Sequence, residues 1–335
     1  MTGYRRGVRR PPPLPPLIQQ KLTKTGYTRG ATTKEIFQNR VTRNNTVLIP
    51  WEFWDDCKEP DDGSDGYEKG FIVLVEPSWY FTTDGAADVL AAEGIQLGLN
   101  ALLLYRKRPD WVLHFVDRGG LLPDGTVQQA AMSRTAPLGG TYMARVHATV
   151  AAEDGDMVVR GYNTTGRRGA GIRVYEYAST ASINATRLQL EALFWSCEDA
   201  HDAAVAGGMA PDDAKRRKAV IVADAAASGL LDFERLRVQR MVDDANFTMC
   251  PLCLLRVSAT DFMRRSEQAV GRETYDLTTT EVSLFHVDEL RVGVLQHKPY
   301  NLGWGHHFCN VVTKDTGIDG TVTWMRGVVD RQPDP

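Results

Sequence analysis

The apolar positions of this chain change their period along its length. Between residues 46 and 116 they come in short runs bounded by Pro, Gly and Asp: Thr46-Val-Leu-Ile-Pro, Gly70-Phe-Ile-Val-Leu-Val-Glu, Ala101-Leu-Leu-Leu-Tyr-Arg and Trp111-Val-Leu-His-Phe-Val. β-Branched and aromatic runs of that length predict strands. Residues 86–99 have helical spacing, whereas 141–150, 156–162 and 171–177 return to the strand pattern. From residue 180 the period is helical again. The span 185–206 carries Leu190, Leu193 and Phe194 on one face, a second helix opens at Pro211-Asp-Asp and stops near Gly229, and a third opens at an Asp232 N-cap.

Upstream of these elements, residues 1–17 combine arginines with Pro11-Pro-Pro-Leu-Pro-Pro16, which predicts an extended arm rather than a core element. A helix is expected over about 33–43, after Thr32-Thr33. A chain of 335 residues has room for two domains, or for one large domain with a small one attached. No run of about eighteen apolar residues appears, and the opening Met-Thr-Gly-Tyr-Arg-Arg is not a signal peptide, so a cytoplasmic protein without a membrane span is expected.

The net charge of -3 conceals an uneven distribution. Residues 1–45 carry ten Lys or Arg against the single acid Glu35, and the stretch from Glu52 to Glu68 holds eight acids. A basic arm gains phosphate affinity by counterion release, and an acidic loop cannot lie on a phosphate backbone. Net charge therefore does not exclude DNA, and Arg5, Arg6, Arg9, Arg10, Arg29, Arg40 and Arg43 are the candidate contacts to double-stranded DNA; the arm at 1–17 reads otherwise as a solvated tail. Arg167 and Arg168 join this set in the glycine-rich loop Asn163-Thr-Thr-Gly-Arg-Arg-Gly-Ala-Gly, which reads equally well as an ordinary hairpin loop.

Five cysteines, three of them near the C-terminus, favour metal binding in a reducing compartment over a disulfide framework. Cys57 and Cys197 remain as free thiols. Cys250-x-x-Cys253 and His306-x-x-Cys309 can meet on one tetrahedral Zn2+; His307 competes as a ligand, but its spacing to Cys309 suits a knuckle less well. Between the pairs, His286 is followed at fifteen residues by Asn301 and at nine more by Asn310.

This combination resembles the HNH (ββα-metal) nuclease motif in its zinc-containing form, over residues 245–330. The resemblance implies that His286 is the general base, that Asn301 braces its imidazole, and that Asn310, at the start of a helix opening near 308, ligates a catalytic Mg2+ or Mn2+. A shorter helix is expected at about 319–328. The family places an acid or histidine directly before the base, and here Phe285 stands there. Asp288 shares a strand face with His286 and is the expected substitute. A second register makes Asp288 the metal ligand and Glu289 the base. His297 is a third candidate, as a phosphate contact or a structural residue.

The region from Leu14 to Trp54 is similar to BstXI-like restriction enzymes. The expected fold is α+β: a basic arm and helix (1–44), a mixed α/β DNA-recognition part with a helical linker (45–240), and a zinc-stapled HNH module (241–335). The expected activity is that of a type II restriction endonuclease, acting as a homodimer. The alternatives are a zinc-containing DNA-binding protein with an inactive HNH module, and an HNH nuclease of repair or homing.

Overall fold

The computed structural model describes residues 11–23, 46–61, 64, 66–131, 139–148, 157–161, 172–266, 280–314 and 316–332. Two compact units divide the chain: Met1–Arg40 with Thr180–Arg291 and Gln296–Pro335, and Val41–Ser179 with Val292–Leu295. The second unit is thus an insertion in the sequence of the first. The sequence expectation drew its boundary near 240; the helices from residue 180 onward cluster with both cysteine pairs instead. The expected helix at 33–43 and all nine arginines named as DNA contacts lie outside the described residues.

The proline-rich opening is more than an arm. Helix α1 (Pro16–Thr23) follows it, and Leu14, Ile18 and Leu22 are buried in the core of the first unit. Four-residue spacing puts Ile18 and Leu22 on one face of the helix, and Leu14, just before it, is buried in the same core. The expectation of an extended arm over residues 1–17 is therefore corrected at its end: Leu14 is buried and the helix begins at Pro16.

The inserted unit is a sheet of β1 (Val47–Pro50), β2 (Phe71–Val75), β3 (Ala101–Tyr105), β4 (Tyr142–Val146), β5 (Val158–Arg160) and β6 (Ile172–Arg173), in the spatial order β5-β4-β3-β2-β1-β6. All pairs are parallel except β4 with β5. Parallel strands bury both faces, which explains the unbroken apolar runs. One face, with Val47, Ile49, Val73, Val75, Leu103 and Tyr105, joins a core that contains Trp54 of α2 (Trp54–Cys57), Tyr80 of α3 (Pro77–Thr82) and Leu90 of α4 (Ala86–Ala92). The other face carries Leu48, Ile72, Leu74, Leu102, Leu104 and Met143.

The run 111–116 is not a strand. Helix α5 (Arg108–Trp111) has Pro109 in its first turn, a position that suits proline, and continues into a wide turn in which Asp117 N–H donates to the Val112 carbonyl at 2.8 Å. Trp111, His114 and Phe115 then point inward while Val112, Leu113 and Val116 are exposed, a spacing that only a helix provides. Likewise α4 ends at Ala92 rather than 99, and the strand expected at 171–177 is Ile172–Arg173 followed by a single turn.

Beyond the insertion, the first unit resumes with α6 (Thr180–Trp195), α7 (Ala200–Ala206), α8 (Pro211–Ala227) and α9 (Phe233–Val238). The single helix expected at 185–206 is broken where Asp199 accepts hydrogen bonds from Ser258, Ala259 and Thr260. Helix α6 is the centre of this unit. It buries Leu190, Leu193, Phe194 and Trp195, and its Gln189 side chain bonds to Tyr300 N–H and the Leu230 carbonyl.

Glu191 of α6 and Arg217 of α8 form a buried two-pronged ion pair at 2.5 and 2.9 Å, and Arg217 also donates to the Pro12 carbonyl. Removing one partner leaves an uncompensated charge in the core. Arg217→Met is expected to lower the unfolding free energy by about 3–5 kcal/mol in urea titrations, and adding Glu191→Met is expected to recover most of that loss.

Candidate functional site

Two further strands, β7 (Val282–His286) and β8 (Leu302–His306), pair antiparallel with His286 opposite Leu302. Helix α10 (His307–Thr313) follows β8 directly and packs on both strands, and α11 (Gly317–Val329) comes next. The result is a two-stranded hairpin followed by a helix. Gly305 is required by close approach, because a Cβ there would lie 2.6 Å from the Phe285 ring. Gly317, at φ +79°, lets the start of α11 press against the backbone of Asp288 and Glu289, where Ile318 N–H donates to the Val287 carbonyl at 2.9 Å.

The two close pairs come together at one end of this hairpin. The ligand atoms of Cys250, Cys253, His306 and Cys309 all lie within 4.8 Å of one another, and Cys253 Sγ is 3.2 Å from His306 Nδ1. Ligands at zinc distances sit about 3.4–3.8 Å apart around a tetrahedral ion, so the set fits after small shifts, the widest separations closing and the Cys253–His306 pair opening slightly. His307, the competing ligand, is not part of it.

The protonation of this set reflects its crowding. Burial pushes the Cys250 thiol up, but hydrogen bonds from the His306 imidazole and from nearby backbone N–H groups outweigh it and bring the group down to about 6. Burial and the Cys250 charge hold Cys253 up, and burial with the charges of Cys250 and Cys253 raises Cys309. The Cys250 hydrogen bond raises His306. One thiolate is thus accommodated and the next two are resisted, the condition a divalent cation reverses.

At the other end of the hairpin, burial alternates: Phe285 and Val287 point into the core, and His286 and Asp288 point away from it. The ladder ends at His286, so Asp288 stands in the bend that follows. Phe285 is fully buried. The Glu289 carboxylate faces Arg291 at 3.5 Å on the surface. Asn310 lies half-buried on α10.

Asn301 spends its amide on the loop rather than on the ring. Its Oδ1 accepts from Asp288 N–H at 2.7 Å, and its Nδ2 donates to the carbonyl and Oε1 of Gln296 at 2.7 and 3.0 Å. It therefore reaches His286 only through the backbone of 287–288. The His286 ring has its centroid 5.6 Å from that of His297. His297 is buried, which argues against a phosphate contact. Burial, then the charges of His286 and of Arg187 on α6, holds its pKa well below the ordinary histidine value. Gln296 and Arg187 carried no signal in the sequence, because one precedes a loop and the other sits on a helix that reads as core.

The model of the BstXI restriction endonuclease family matches residues 20–307, which is well over half of the chain. This chain belongs to that family. The BstXI match runs through the inserted sheet and the hairpin alike, taking in His286, Asn301 and His306. A solved structure titled "Crystal structure of a type II restriction endonuclease" is similar at 18% identity and a TM-score of 0.27, over 47% of this chain and 57% of that one. The aligned part thus spans little more than half of that chain. No curated protein matches. Among the described residues no helix is long and apolar enough to cross a membrane.

The buried neutral His297 gives the fold a pH dependence. In the unfolded chain it takes up a proton near pH 6.5, and in the folded chain only well below that. Its contribution to stability is complete above about pH 6.5 and is lost as the pH falls below it. The thermal midpoint is expected to drop between pH 7 and pH 5, and His297→Gln is expected to flatten part of that slope.

Proposed function

We propose that the chain is a type II restriction endonuclease that cuts double-stranded DNA with an HNH-type site on the hairpin of β7 and β8. The observation that carries this reading is the strand-strand-helix order, with the Cys250, Cys253, His306 and Cys309 set at one end and His286 at the other. The family match supports the activity, and the geometry supports the assignment of roles. The unit inserted at 41–179, with the basic arm, selects the DNA site. Two copies related by a two-fold axis cut the two strands.

In this reading the four soft ligands would hold a structural Zn2+, and His306 and Cys309 among them flank the turn between β8 and α10. His286 takes the proton of the attacking water, for which a neutral imidazole is suited at working pH. Asn301 positions it by clamping the bend at 287–288 to Gln296. Asp288 and Asn310 offer oxygen ligands suited to Mg2+ or Mn2+, whose charge, when bound, offsets the negative charge that develops on the scissile phosphate. Phe285 packs the core and leaves Asp288 as the acid beside the base.

Plasmid incubated with purified protein and Mg2+ or Mn2+ is expected to yield discrete fragments, and His286→Ala is expected to slow cleavage by about 100-fold or more at an unchanged thermal midpoint. Intact plasmid under every metal tested would instead favour the DNA-binding alternative with an inactive module. Elemental analysis is expected to find one zinc per chain in the native protein and none in Cys250→Ser or Cys309→Ser, with a lower thermal midpoint in both variants.

A further inference from the structure

The inserted unit holds a hollow of about 650 Å³ on the sheet face opposite its helices. Its size is that of a small-molecule site, for which about 300–1,000 Å³ is usual. The floor is apolar, made by Leu48, Leu74, Leu104 and Met143. The rim is cationic: Arg106 follows β3, Arg145 lies near the end of β4, and Arg173 ends β6. All three arginines are exposed.

Among the described residues no carboxylate pairs with Arg106 or Arg145. Glu52 and His147 also line the hollow, so the rim is not purely basic, but cations outnumber the one acid. The guanidinium of Arg173 lies 4.6 Å from the centroid of the Tyr175 ring, and that ring and Phe53 add flat surfaces to the wall. The hollow sits toward the carboxyl ends of the parallel strands. It includes both β1 and β6, the pair at which the strand order reverses, and ligands of open parallel sheets bind at such points.

From this arrangement we propose that the hollow seats one nucleotide unit, with its base over the aliphatic floor between the aromatic walls and its phosphate on Arg106 and Arg145. An apolar floor alone would suit a lipid and a basic rim alone a bare anion. Their combination in one cavity selects a flat heterocycle that carries a phosphate. The unit comes either from an unstacked position of a DNA strand or from a free nucleotide. The site is separate from the hairpin and does not depend on cleavage there.

The test uses the full chain and needs no cleavage. Calorimetry with 2′-deoxyadenosine monophosphate and ATP probes the free ligand, and anisotropy of a short fluorescein-labelled oligothymidylate probes the strand. Binding to at least one of them is expected, weakened about tenfold by Arg106→Gln with Arg145→Gln, and also by Leu104→Trp, which fills the floor without changing charge. Binding of mononucleotides identifies the free ligand, and binding of the oligonucleotide alone identifies the strand. No binding by either probe overturns the proposal. So does binding that survives the arginine changes, or binding that responds to them but not to Leu104→Trp in a protein whose thermal midpoint is unchanged, because that is surface attraction without a seat.

Discussion

A two-stranded hairpin is marginal in water by itself, and every residue assigned to the proposed nuclease site sits on such a hairpin or beside it. Its order is supplied from outside the ladder. Trp304 of β8 is buried and donates to the Leu190 carbonyl of α6 at 2.7 Å, with its ring 4.7 Å from that of Phe262. Lys21 of α1 donates to the Val282 carbonyl at 2.8 Å, and burial brings that ammonium down to about 8. The cysteine set closes one end and the Asn301 clamp the other. The hairpin is precise because these separate parts of the chain hold it, and the proposed role of His286 depends on each of them.

The two ends of the hairpin obey opposite electrostatic rules. At the cysteine end, one thiolate is accommodated and its charge, with burial, resists a second. At the histidine end, burial keeps His297 neutral beside His286, so that no second positive charge competes with the proton His286 is proposed to accept. A strand of five residues separates these environments. The Phe285 ring, packed against Gly305, fills the space between them with hydrocarbon.

Much of this was legible in the sequence, and the reasons differ by element. The strands β1 to β4 stood out because parallel strands are apolar on both faces and end at Gly, Pro or charge. The cysteine set stood out because two pairs of fixed local spacing need little knowledge of the fold. The run 111–116 misled because its composition fits a strand. Only the preceding Arg108-Pro109-Asp110, a helix start, distinguishes it, and the decisive evidence is which side chains turn inward. Helix α1 was hidden by the prolines before it, since composition cannot reveal that Leu14, Ile18 and Leu22 meet α6. The arginines of the hollow, at 106, 145 and 173, are joined only by strand order.

Domains tend to fold as units while synthesis proceeds from the N-terminus. The inserted sheet has nearly all of its strands and helices in hand once residue 179 has emerged. Helix α1 is made first, yet its apolar face belongs to a core built from residue 180 onward, and the acceptor for Lys21 arrives only with Val282. During that interval Leu14, Ile18 and Leu22 lack the core partners they meet in the finished chain. The strands of the hairpin, Val282–His286 and Leu302–His306, come later still in the chain.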